Sequence, residues 1–331
     1  MKCPSKRSFI LSLAAAATAW GFSTGAAQAQ SPDDYPNRPV TIIVGFTAGG
    51  PTDAVARILA EQLSVKFGQT FLVDNKPGAG ASIAAMLVKK AKPDGYTLMF
   101  ASNGALTINP QIERLAYDPI HDFVPIGLVA NYPYFVVTSA TSPIQTLDDL
   151  LKKGREPESN LTFASAGVGV LNHLAGEWFA HEAKIKAKHI PYKGDSATIA
   201  DLIAGRVDFA FLAGAAAFPQ VKAGKLRVLA SASATPGRGG NGVLTLGESG
   251  FKGFAAEPWN GLMGPADLPR PIVAKLNAAI NDIMNRQDVA ARLAVMDVYP
   301  LTGTTEQFTG RIKEETLRWG QVIKMADIKT E

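Results

Sequence analysis

Three glycine-bearing stretches stand between a short apolar run and a run with helical spacing: Phe46-Thr-Ala-Gly-Gly-Pro-Thr52, Asn75-Lys-Pro-Gly-Ala-Gly80 and Ser165-Ala-Gly-Val-Gly169. A loop in that place ends at a helix N-terminus, where the first amides have no partner inside the helix and the macrodipole is positive. It therefore binds a carboxylate or phosphate without needing lysine or arginine. In any one loop glycine also serves an ordinary tight turn, but three such loops, found in both halves of the chain, favour an anion site between the halves. Nearby side chains have two readings each. Asp53 caps its own helix or fixes the first loop. His173, one turn after Gly169, faces the loop's ligand or is structural. Phe46 and Trp259 pack on the apolar body of a ligand or in the core. Asp208 holds a neighbouring loop.

Other chemistries find no residues to carry them. The nucleophile-elbow pattern occurs only as Gly21-Phe-Ser-Thr-Gly25, inside the leader described below. Gly78-Ala-Gly80 and Gly167-Val-Gly169 each lack the third glycine of a dinucleotide fingerprint, and no loop continues as Gly-Lys-Ser/Thr. The four histidines, His121, His173, His181 and His189, form no metal-binding motif. We expect no catalytic residue, no metal and no cofactor. An enzyme on this scaffold would have to work with His173 and Asp53, which fall in opposite halves.

Residues 1–29 begin with Lys2, Lys6 and Arg7, continue with an apolar stretch from Phe9 to Phe22 and end in Ala27-Gln-Ala29. That is a secretory signal peptide cleaved after Ala29. Cys3, the only cysteine, precedes the apolar stretch and leaves with the leader, so disulfides and thiolate chemistry are excluded. Without the leader the chain has 302 residues, and its formal charge falls from +4 to +1. A nearly neutral surface gives no electrostatic case for nucleic acid or an anionic membrane. The expectation is a soluble exported protein.

The elements that must position the loops follow from periodicity. Val40–Val44 reads as a buried strand, and Val55, Ile58, Leu59 and Leu63 repeat at helical spacing up to Gly68. Phe71–Val73 and Tyr96–Ala101 read as further strands, with a helix over Ala81–Lys90 between them. The pattern starts again with a strand over Leu161–Ala164, a helix over Leu171–His181, strands near His189–Ile190, Val207–Leu212 and Leu226–Ala230, and a helix ending at Ala204. Helices are predicted over Ile272–Ile283, Val289–Leu293 and Phe308–Ile323. Alternation of this kind predicts two α/β lobes, each a mostly parallel sheet flanked by helices. The chain is expected to pass between lobes at Tyr132–Ser142 and return at Glu257–Gly264. Lobe I is then 31–131 with 257–331, its last helix unplaced, and lobe II is 132–256.

Taken in order, these loops resemble one family closely. Tyr35-Pro-Asn-Arg-Pro39, Phe46-x-Ala-Gly-Gly-x-x-Asp53, Asn75-x-Pro-Gly-Ala-Gly80, Pro93-Asp-Gly-Tyr-Thr-Leu98 and Tyr117-Asp-Pro-Ile-x-Asp-Phe123 are similar to the first lobe of the tripartite tricarboxylate transporter substrate-binding proteins, the Bug family. Ser165-Ala-Gly-x-Gly169, His173-Leu-Ala-Gly-Glu177, Pro191-Tyr-Lys-Gly194, Asp201-Leu-Ile-Ala-Gly205-x-Val-Asp208 and Trp259-x-Gly261 are similar to the second lobe and the return segment. The resemblance implies a monomeric periplasmic binding protein of type II-like, two-lobe fold that passes a small carboxylate to a two-subunit membrane permease. A ligand sensor independent of any permease, or an exported enzyme, is the alternative. Carried over residue by residue, Phe46, Thr47, Ala48, Gly49, Gly50 and Asp53 form one wall, extended by Gly78, Ala79, Gly80, Ser102 and Asn103. Ser165, Ala166, Gly167, Val168, Gly169, His173, Tyr192 and Lys193 close the far side. The chain departs from the family at Ala81-Ser-Ile83, at Pro236–Gly242 and at Phe211–Ala217. If the small residues 213–217 line the cleft, it is wide enough for a planar ligand such as the aromatic dicarboxylate terephthalate.

Overall fold

A computed structural model of the chain describes residues 34–238 and 242–328, so the leader expected over 1–29 lies outside the described residues. Only Asp34 and Tyr35 are described ahead of Pro36, and the fold below concerns Pro36 onward. In chain order the strands are β1 (Val40–Val44), β2 (Phe71–Asn75), β3 (Thr97–Ser102), β4 (Phe123–Asn131), β5 (Tyr134–Ser139), β6 (Thr162–Ser165), β7 (Lys188–Pro191), β8 (Phe209–Ala213), β9 (Leu226–Ser231), β10 (Trp259–Pro265) and β11 (Tyr299–Pro300). The helices are α1 (Pro51–Phe67), α2 (Ser82–Lys89), α3 (Asn109–Ile112), α4 (Leu147–Arg155), α5 (Leu171–Ala183), α6 (Asp195–Ile203), α7 (Gly214–Lys222), α8 (Arg270–Met284), α9 (Gln287–Ala294) and α10 (Thr305–Met325).

The strands form two sheets, one of six in the order β11-β4-β10-β3-β1-β2 and one of five in the order β7-β6-β8-β5-β9. The two-lobe α/β architecture is as expected, but each sheet is mixed rather than mostly parallel. Parallel pairing is confined to β2, β1 and β3 in the first sheet and to β7, β6 and β8 in the second; the remaining neighbours pair antiparallel. The reason lies in the two passages between lobes. Tyr134–Ser139 is not a bare connector but β5, antiparallel to both β8 and β9. The return segment is likewise β10, seven buried residues antiparallel to β3 and β4. Each of these strands enters its sheet from the other lobe rather than through a crossover helix, and each pairs antiparallel with both of its neighbours.

α1 shows how local sequence sets the frame for the first loop. Pro51 opens it, where its missing N–H costs nothing, and Gly68 closes it in the left-handed region with its amide on the Ser64 carbonyl. Val55, Leu59 and Leu63 bury one face. One core gathers Met99, Leu128, Trp259 and Phe308; a second stacks Phe163, Phe179, Phe209, Phe211 and Phe254. α10 packs on β4 and, through Trp319 and Val322, on Leu171 and Leu174 of α5, so the last helix touches both lobes.

The crossing strands hold each other. The Tyr132 amide donates to the Pro258 carbonyl (3.0 Å) and the Tyr134 amide to the Ala256 carbonyl (3.1 Å). Between them the Glu257 carboxylate accepts from Asn131 (2.9 Å) and from the Ser233 hydroxyl (2.8 Å), tying both passages together.

Candidate functional site

The parallel strands of both sheets end toward these crossings, so the loops after β1, β2, β6 and β7 share one side of the fold. In the first lobe the loop Phe46–Gly50 is held from below. Asp53, buried in the first turn of α1, accepts the Gly49 amide (2.9 Å) and Arg57 Nε (2.9 Å) on Oδ2, and Asn75 Nδ2 (2.9 Å) on Oδ1. Asn75 also donates to the Phe46 carbonyl (3.0 Å). Burial disfavours the Asp53 charge, but the bonds from Arg57, Gly49 and Asn75 outweigh it and hold its pKa below the ordinary carboxylate value. Asp53 thus fixes the loop, and Gly50 rather than Asp53 is the residue at the helix cap. With Gly49 engaged and Gly50 turned toward the Thr47 carbonyl, the amides of Thr47 and Ala48 meet no acceptor among the described residues. Phe46 is 36% exposed beside them.

The second loop lies against the first. Gly78, Ala79, Gly80 and Ala81 all have positive φ, and Ala81 sits so close to Gly45 that a side chain at 45 would collide with it. Two alanines held in the left-handed region are backbone strain concentrated beside the first loop. Asn109 Nδ2 donates to the Gly80 carbonyl (2.8 Å) and fixes this turn. Ser102 ends β3 on the same side.

In the second lobe most of the loop's amides are taken internally. The Ser165 hydroxyl donates to the Gly167 carbonyl (2.8 Å) and accepts the Gly167 amide (3.2 Å); the Ala166 amide donates to Asn172 Oδ1 (3.3 Å) and the Gly169 amide to His173 Nδ1 (3.1 Å). The Val168 amide has no acceptor among the described residues, and its side chain is exposed. The neighbouring loop is knitted in by the Tyr192 amide on the Ser165 carbonyl (3.0 Å) and the Gly194 amide on the Ala166 carbonyl (3.0 Å). The Tyr192 hydroxyl points to Asp201 (2.7 Å), away from the loop, and Lys193 is exposed.

His173 does not present its ring to the loop's open side. It is 4% exposed and stacks on His189 with 3.7 Å between ring centroids. His189 in turn meets the Ser165 hydroxyl (2.6 Å), and burial followed by the neighbouring His173 pushes its pKa down to about 3. With Glu177 the two rings make a group of potential metal ligands, but face-to-face rings aim their in-plane lone pairs in parallel rather than at one point. The arrangement is a post that props the loop from behind.

Other sequence candidates fall elsewhere. The Asn103 side chain is buried and directed at Glu315 (3.4 Å), which also accepts the Trp259 indole N–H (2.7 Å); both belong to the core of the first lobe. Asp208 binds Lys153 (2.7 Å) and the Thr162 amide (2.8 Å) at the opposite end of β6. Of the small residues 213–217, Gly214 makes room for the Asp297 carboxylate and with Ala215 lines a cavity of about 1250 Å³ beside Phe218, while Ala217 is buried under the second sheet.

One group escaped the sequence reading. Asp195 opens α6, accepts Asn172 Nδ2 (3.3 Å) and lies near the hydroxyls of Tyr132 and Tyr134 at the crossing. Tyr132 also lies near Thr52 in the first turn of α1. Asp195 keeps solvent access, yet the protein around it raises its pKa, as befits a carboxylate set in a cleft. Burial pushes Tyr132 up to about 12. The signal available in sequence was only that Asp195 follows Gly194 at a helix start.

The comparisons agree with this geometry. Residues 55–328 match the tripartite tricarboxylate transporter family receptor. A protein of Pseudomonas sp. (strain P51), described as the UPF0065 protein in the tcbD-tcbE intergenic region, is 35% identical over 323 residues, 97% of this chain and 96% of that one. Among solved structures, Rpa4515 of R. palustris with adipate superposes with a TM-score of 0.79 at 30% identity, covering 89% of this chain and 99% of the other. MatC of Rhodopseudomonas palustris with bound malate gives 0.73 at 30% identity, over 87% and 100%. Two mixed-sheet lobes with glycine loops at their facing ends, and a match through most of its length, place this chain in the tripartite tricarboxylate transporter receptor family.

Proposed function

We propose that this chain captures a small carboxylate between its two lobes in the periplasm, as a monomer, and delivers it to a two-subunit membrane permease of the tripartite tricarboxylate type. The observation that carries the reading is the set of amides left open at the strand ends. Thr47 and Ala48 on one lobe and Val168 on the other meet no acceptor among the described residues, while their neighbours are pinned by Asp53, Asn172 and His173. Preorganised amides of this kind hold an anion without a cationic side chain. Adipate and malate in the solved relatives point to the same class of ligand. No helix among the described residues is long and apolar enough to cross a membrane, so in this reading the permease is a separate partner.

The test is a thermal-shift screen of the chain lacking residues 1–29 against aliphatic and aromatic mono-, di- and tricarboxylates, with sugars as controls. A ligand at about 100 times its Kd stabilises by roughly 2.7 kcal/mol, a shift of a few degrees. Gly50→Val is the companion variant. Gly50 has φ −79° and a Cβ there has room, so the chain folds while the side chain covers the open amides. A carboxylate shift lost in Gly50→Val supports the reading; shifts with sugars only, or carboxylate binding indifferent to that variant, overturn it.

A further inference from the structure

Asp195 is tied to the second lobe's loop twice over. Its preceding residue, Gly194, donates its amide to the Ala166 carbonyl (3.0 Å), and its Oδ1 takes Asn172 Nδ2 (3.3 Å) while Asn172 Oδ1 takes the Ala166 amide (3.3 Å). The carboxylate therefore has a fixed place next to the open Val168 amide's loop. Around it are Asn172 from α5 and, close enough to feel its charge, Tyr132 and Tyr134 from the crossing. Among the described residues no lysine, arginine or histidine pairs with Asp195, and its Oδ2 receives no donor. Acidic side chains elsewhere on these loops are answered: Asp53 by Arg57 and Asp201 by Arg206.

A ligand carboxylate held by the loop amides already brings one negative charge into the cleft. Asp195 is exposed and solvated; a second carboxylate that reaches it displaces that water and meets a like charge, where repulsion is stronger than in water. Once the ligand displaces that water, a hydroxyl gives Oδ2 a donor in its place, and an ammonium gives it a donor and a counter-charge. Building on the carboxylate-binding reading above, we propose that Asp195 makes the cleft select carboxylates that carry their own hydrogen-bond donor, a hydroxyl or an ammonium, over plain dicarboxylates. A site built to satisfy a polar group rejects the analogue lacking its partner far more strongly than an apolar pocket rejects a missing methylene.

Succinate, malate and aspartate share one carbon skeleton and differ only in carrying hydrogen, hydroxyl or ammonium at the second carbon, which makes them the natural probes. Their Kd values are measured by calorimetry at pH 7.5 for the wild type, Asp195→Asn and Asp195→Ser, with melting curves to establish that each variant folds. The wild type is expected to bind malate or aspartate at least tenfold tighter than succinate, and both variants to shrink that ratio at least tenfold, chiefly by binding succinate better. Succinate bound as tightly as the other two by the wild type, or a ratio unchanged in both variants, overturns the proposal. If the wild type binds none of the three, nor the longer adipate, the carboxylate reading itself fails. That result differs from indiscriminate binding of all of them, which would leave the carboxylate reading standing and remove only the role of Asp195.

Discussion

The Gly169 amide donates to His173 Nδ1 across 3.1 Å. The other ring nitrogen, Nε2, lies on the side where Glu177 stands 3.5 Å away. The second lobe's loop thus hangs from a buried histidine. His173→Ala removes both the acceptor and a stacked ring, leaves the Gly169 amide without its partner, and is expected to cost about 2–4 kcal/mol. His173→Gln, which keeps an acceptor, is expected to recover part of the melting temperature. The check is a pair of melting curves.

The partner ring makes stability depend on pH. His189 protonates at its ordinary 6.5 when unfolded but only near 3 when folded, because burial and then the neighbouring His173 oppose its charge. Between those values the unfolded chain binds the extra proton. The full contribution is present above pH 6.5 and drains as pH falls toward 3, by at most about 1.4 kcal/mol per unit. His189→Asn, measured beside the wild type from pH 7.5 to 4.5, should flatten the fall in melting temperature over that window.

In the first lobe the buttress is Asp53. Its folded pKa lies below 3.8, so its contribution is present above that value and is lost as pH falls through the folded value. At neutral pH, Asp53→Ala strips acceptors from the Gly49 amide, Arg57 and Asn75 at once. We expect a loss of about 1–3 kcal/mol, seen in denaturant unfolding, together with weaker carboxylate binding than the drop in melting temperature alone would produce.

Local patterns made the strand-loop-helix units legible, because α1, α5 and the strands before them are specified within some fifteen residues by apolar spacing, proline and glycine. β5 and β10 were not, since a strand that is also a passage between lobes has no turn signal to mark it. The glycine loops could be named from sequence, but how they are held depends on side chains that arrive from elsewhere: Asn75 on the Phe46 carbonyl, Asn109 on the Gly80 carbonyl, Asn172 on the Ala166 amide. Asn103 and His173 went the other way. Each stands next to a loop in sequence, and each turns into the protein because a partner, the buried Glu315 or the half-buried His189, waits there.

Asp297 gives the plainest case of a contact that only the fold creates. It sits after α9, and its Oδ2 is buried without a hydrogen-bond partner against Gly214, the first residue of α7, where any side chain would collide with it. Oδ1 takes the Tyr299 hydroxyl (2.9 Å). Burial raises its pKa from 3.8 to about 6, so the folded protein prefers the protonated acid. The sign follows from linkage. Stability is unaffected below 3.8, where both states are protonated, falls as pH rises toward 6, and stays reduced above that, where the buried charge has no answer. Asp297→Asn keeps the shape, bears no charge and brings an amide that can meet the same neighbours. It is expected to stabilise the protein by roughly 1–3 kcal/mol at pH 7.5, and the gain should vanish near pH 4. Melting curves of the two proteins at those two pH values decide it, since a variant equally displaced at both would mean that packing rather than charge governs the contact between Asp297 and Gly214.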